Sequence, residues 1–160
     1  MSFGDELERE RERVVRLVRH ASVSWAEAMR AHKLAPPDDG FAGRLQKLSE
    51  AAAAEQLAWQ QAHDAGVQWR AVAGAANAEP PYELRPGTGR RGPDDLWLHF
   101  DSAVMEMNRA IGGPDAIEVA AAFGAVAEAA AKLARAIADE DQITREAKEL
   151  AELARSRNVA

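Results

Sequence analysis

Among residue types that commonly catalyse or bind metals, this sequence has four histidines, at positions 20, 32, 63 and 99, many carboxylates and no cysteine. Thiolate nucleophiles, thiolate metal sites and disulfides are thereby excluded. A carboxylate-bridged di-metal site in a helical bundle needs Glu-x-x-His on two helices, a spacing that sets both ligands on one face a turn apart. The residues three before the histidines are Leu17, Met29, Gln60 and Leu96, so the motif does not occur. Asp95 and His99 are one turn apart and suit a metal, but they continue through Ser102, Glu106 and Arg109 as one polar stripe, the pattern of a solvated helix face. No metal and no cofactor are expected. No Ser or Thr is coupled to a His in a recognisable nucleophile motif.

Glu55 stands out because it interrupts an otherwise apolar helical seam. If the preceding helix folds back on this one, Glu55 comes near His20 and Arg16, and a buried carboxylate beside an imidazole would be an acid/base pair with displaced pKa values. The plainer account, and the expectation here, is a position at the seam's edge with a salt bridge to Arg16. Arg13 and His20, with six residues between them, resemble the Arg-x4-6-His pair of the HEPN ribonuclease families, which are also helical bundles. The resemblance implies metal-independent RNA cleavage by Arg13 and His20. It covers that pair alone: Val14 follows where those families favour a polar residue, and the pair lies in the first helix instead of a late one, so no membership is claimed.

Arg85, Arg90 and Arg91 lie in or beside the run Gly87-Thr88-Gly89-Arg90-Arg91-Gly92, where backbone N–H groups and guanidinium forks suit an anion. The spacing is not that of a P-loop, and Asp94 and Asp95 at the next helix start would repel a phosphate. An exposed connector is the expectation. Trp25, Trp59, Trp69 and Trp97 all fall on inward faces; they suit a pocket for a flat apolar ligand, though core packing is the commoner role.

The elements that would position these groups are helices. Ser2-x-x-Asp5 caps a first helix over Ser2 to Lys33, with Leu7, Val14, Val18, Ala21, Trp25 and Met29 on one stripe. The stripe keeps its phase past Ser24-x-x-Glu27, which predicts one unbroken helix. Pro36-Pro37-Asp38-Asp39-Gly40 ends it. Phe41, Leu45, Leu48, Ala52, Glu55, Trp59, Ala62, Gly66, Trp69 and Ala73 recur in steps of four and three, predicting a second helix to about Ala76 with a coiled-coil-like seam. Folding the two into a hairpin sets Trp25 over Ala51 to Ala54 and Arg11 near Asp64.

Residues 77–93 read as a crossover linker. A third helix opens at Asp94-Asp95 and stops at Gly112-Gly113, with Trp97, Phe100, Val104, Met107 and Ile111 inward. A second hairpin sets Trp97 opposite Ala129 to Ala131. The fourth helix, from Asp115 to Ala138, carries Ala on nearly every face, which suits burial on several sides or a shared subunit interface. Ile143, Ala147, Leu150 and Ala154 resume a stripe six residues after Ile137, so a kinked continuation or a separate fifth helix is expected to about residue 157.

The fold class is therefore all-α: an antiparallel bundle of two long hairpins, 2–76 and 94–157, in one domain of 160 residues, large enough to bury a real core. A net charge of −6 argues against nucleic acid as a partner. The charged N-terminus is unlike a signal peptide and no stretch is apolar enough for a membrane span, so a cytoplasmic protein is expected. The function expected is that of a non-catalytic interaction or regulatory protein acting through helix faces, as a homodimer and with a further protein partner. A Trp-lined small-molecule site and an Arg/His nuclease are the alternatives.

Overall fold

Ser2 and Asp5 start the chain's first helix by exchanging hydrogen bonds. The Ser2 Oγ accepts the Asp5 backbone N–H at 3.2 Å and the Asp5 carboxylate accepts the Ser2 N–H at 3.4 Å, which satisfies two donors the helix itself leaves open. We describe the protein from a computed structural model, which describes residues 2–34, 40–67, 91–113 and 115–159. The expected turn at Pro36 to Asp39, the second-helix positions 68–76 and linker positions 77–90 lie outside the described residues, as do Trp69, Arg85 and Arg90. Four helices and no strand are found among the described residues: α1 (Phe3–Leu34), α2 (Phe41–Asp64), α3 (Asp94–Ile111) and α4 (Ala116–Val159).

Helix α1 passes through Ser24 without a break, and Val14, Val18, Ala21, Trp25 and Met29 are all buried. Positions 2–13 are exposed, Leu7 and Phe3 included. Helix α2 buries the whole expected seam as far as Ala62, from Phe41 through Leu45, Leu48, Ala52, Glu55 and Trp59.

The second helix ends earlier than the periodicity predicts. Gly66 takes a φ of +66°; its N–H reaches His63 O, and the Val67 N–H reaches back to Ala62 O, each at 3.0 Å. This pair of bonds satisfies carbonyls that a helix leaves open at its end, and a left-handed residue is what allows it. Val67, buried together with Ala62, adds the apolar contact that accompanies this stop. Gly66 fits the seam's spacing as a small residue, so apolar recurrence alone could not reveal the termination.

Helix α3 has the expected bounds. Helix α4 does not: among the described residues no separate C-terminal helix follows it, and one helix of 44 residues runs from Ala116 to Val159. Its first half is the centre of the molecule. α2 packs against α1 and α4, and α3 packs against α4; Val119, Ala120, Phe123, Val126, Ala129, Ala130, Leu133, Ala134 and Ile137 are buried. The Ala-rich surface is therefore used within the chain. Small side chains let α2 and α4 approach closely enough for Ser49 Oγ to donate to Ala127 O at 2.6 Å. Large rings fill the wider spaces: Trp25 meets Phe123 edge-on with centroids 5.3 Å apart, a favoured geometry for aromatic pairs.

Beyond Asp141 the picture changes. Every described side chain from Gln142 to Asn158 is exposed, around the full circumference of α4. A helix turns roughly 100° per residue, so the six-residue step from Ile137 to Ile143 rotates the stripe by roughly 120°. The step thus redirects the apolar face on an unbroken helix. The helix persists there because the core has already nucleated it and each further residue adds only propagation. Gln142 also bonds Glu146 and Arg145 at 2.9 and 3.0 Å.

Candidate functional site

Glu55 is an interior residue, with 1% of its surface exposed. Its period in α2 carries it into the core, and Trp59, one turn later on the same face, donates its indole Nε1–H to Glu55 Oε2 at 2.9 Å. Burial pushes the carboxyl up to about 7, although Ser22 and Trp59 favour the ionised form. Ser22 is itself buried; its hydroxyl influences the carboxyl without meeting it in normal hydrogen-bond geometry. The expected edge position and salt bridge to Arg16 do not occur, since Arg16 is exposed and the carboxyl lies inside the core. The α1 residue that acts on Glu55 is Ser22, which is buried two positions past His20, whereas the expected His20 is exposed.

Arg13 is held at the surface by Glu10, with contacts of 2.7 and 3.1 Å, and by Gln61 Oε1 at 2.9 Å. The guanidinium lowers the pKa of the Glu10 carboxyl. His20 lies two turns further along α1, a separation of roughly 10 Å along the axis. The Gln61 bond ties the start of α1 to the end of α2. Nearby, Arg11, Arg16 and Arg19 share a groove of about 630 Å³ with Glu8, Glu12, Gly66 and Val67. Mixed charge of this kind gives no selectivity for an anion.

Trp25, Trp59 and Trp97 are core residues, and neither this groove nor a second one, lined by residues such as Ala28, Arg44 and Ala54, contains a Trp. Trp97 has ring neighbours: Phe100 lies edge-on at 5.8 Å, Phe41 at 6.0 Å and His32 at 6.5 Å. Its Nε1–H donates to Arg91 O. Sequence reasoning passed over His32, which is buried among Phe41, Trp97 and Phe100. The signal was present, since His32 continues the Trp25–Met29 stripe by a further three residues.

Arg91 is the one described member of the arginine loop, and it is ion-paired to Asp141 on α4. The contact is structural: it fastens the entry to α3 onto α4 where the buried part of α4 ends. Asp95 and His99 are exposed on α3, and no cluster of three or more potential metal ligands exists among the described residues. No helix among them is long and apolar enough to cross a membrane.

What remains is a surface. Ile143 and Leu150 are each 66% exposed and Leu153 is 57% exposed, all on the half of α4 whose described side chains are exposed throughout. Isolated apolar side chains at a surface are ordinary; these three recur along one helical stretch. The chain matches no known protein family, no curated protein and no solved structure.

Proposed function

We propose that this protein is a non-catalytic interaction protein of the cytoplasm that works through helix faces and associates with itself. The observation that carries the reading is the exposed apolar stripe on the distal half of α4, from Gln142 to Asn158. It keeps helical spacing over several turns while staying exposed among the described residues. A stripe of this kind is the usual means by which one helix recognises another, with anchors spaced three and four residues apart. The two hairpins proposed from the sequence would form the rigid body that carries it.

The direct test is mass in solution. Light scattering across a range of concentrations is expected to rise from the 17.3 kDa of one chain towards that of a dimer. A strict monomer at every concentration would overturn the reading.

A further inference from the structure

The distal half of α4 carries a pattern that names its own partner. In heptad terms its seam runs Glu140, Ile143, Ala147, Leu150, Ala154, Arg157, in steps of three, four, three, four and three. Reversed and laid against itself about its midpoint, the series is complementary at every layer. Glu140 meets Arg157, Ile143 meets Ala154, and Ala147 meets Leu150. Each large side chain then faces a small one, as interdigitated layers require, and each end of the seam closes with an acid against a base. The parallel alignment puts Glu140 on Glu140, Arg157 on Arg157 and the large residues on each other, so like charges oppose it at both ends. We infer that a second copy of this chain packs antiparallel along the distal half of α4, with Glu140 against Arg157 of the partner subunit.

The inference rests on the self-association reading above and adds the surface, the orientation and the register. The geometry suits a two-fold dimer, in which the same patch is used by both copies. The seam spans 18 residues, or roughly 27 Å, and leaves the two bundles at opposite ends of the paired helices. Ile143 and Leu150 are two-thirds exposed in the single chain, and Glu140, Ala147, Ala154 and Arg157 are exposed as well, so nothing has to move before pairing. With few large apolar anchors per copy, the interface belongs near the low end of the range for specific complexes, roughly 1,000 Å². The dimer is therefore weak and concentration-dependent.

The experiment is sedimentation equilibrium on the full chain with Glu140→Arg, Arg157→Glu, both together, and an equimolar mixture of the two single variants. Each single variant places like charges at both ends, and its dimer dissociation constant is expected to rise at least tenfold. The double variant restores opposite charges and is expected to dimerise like the wild type. The single variants are the sharper arm, because a parallel pair is already like-charged at both ends in the wild type and would not be weakened by them; in the mixture an antiparallel heterodimer is expected to form as tightly as the wild-type dimer, whereas a parallel one would form more tightly. Circular dichroism checks that all variants keep wild-type helicity, which these exposed positions allow. A wild-type dimer that neither single variant weakens, or single-variant defects that neither the double variant nor the mixture repairs, overturns the inference while leaving self-association standing. A monomeric wild type removes both.

Discussion

Glu55 sets a carboxyl inside a hydrophobic core, where the Trp59 indole N–H donates to it, and its chemistry follows from that burial. Folded, it holds its proton up to about 7; unfolded, it releases the proton near 4.5. Between those values the native state binds more protons than the unfolded chain, so this group makes stability fall as pH rises through the window and leaves it level above about 7. At roughly 1.4 kcal/mol per pH unit the whole effect is about 3 kcal/mol. Glu55→Gln keeps an acceptor for Trp59 and removes the charge. Urea denaturation is expected to show the variant near wild type at pH 5 and more stable by about 1–3 kcal/mol at pH 8. A variant less stable than wild type at pH 8 would mean that the ionised carboxylate is welcome in the core. Trp59→Phe removes the donor as well as some packing and is expected to destabilise at pH 8 by about 1–3 kcal/mol, read by the same titration.

That Glu55 would share a face with Leu48, Ala52 and Trp59 was legible from spacing alone. Its depth was not, because a seam's periodicity gives direction but not distance from solvent, and a rotation of one residue along α1 exchanges His20 for the inward positions Ala21 and Ser22. His32 shows the complementary failure: its polarity drew attention away from the apolar stripe it continues.

At the scale of elements, boundaries set by local chemistry could be read and those set by backbone conformation could not. Asp94-Asp95 and Gly112-Gly113 bracket α3 in the sequence as they do in the fold. The end of α2 depends on one positive φ at Gly66, invisible to a hydrophobic pattern. Gly66→Ala forces a side chain into the left-handed region and is expected to cost about 1 kcal/mol, measured as a lower urea midpoint with unchanged slope. Gly92, with a φ of +98°, has less room: a Cβ there would lie 3.0 Å from Ile137 Cγ1. Gly92→Ala is expected to destabilise by more than Gly66→Ala in the same measurement, since strain and crowding combine. The step from Ile137 to Ile143 was visible, but whether it marked a break or a change of facing depended on the neighbours α4 does or does not have.

For the whole molecule, stability and association should separate. No side chain beyond Asp141 is buried among the described residues, so removing residues 142–160 is expected to leave the thermal midpoint of the monomer within a few degrees of the full chain. Self-association is expected to be lost. A large fall in the midpoint would mean that the distal half supports the core. The charged ends of the seam also make association sensitive to ionic strength, because exposed charges are screened over about 8 Å at physiological salt. Raising salt to 1 M is expected to weaken the dimer, read as an increase in its dissociation constant at constant pH.

The unbroken length of α4 has a mechanical consequence. At 1.5 Å per residue it is a rod of roughly 66 Å, clamped over its first half and exposed over its second. A twist or pull applied at the tip travels through continuous backbone hydrogen bonds to Phe123 and the surrounding rings, with no hinge on the way to absorb it. Whatever grips the free end therefore handles the interior of the protein like a key turned from outside the lock.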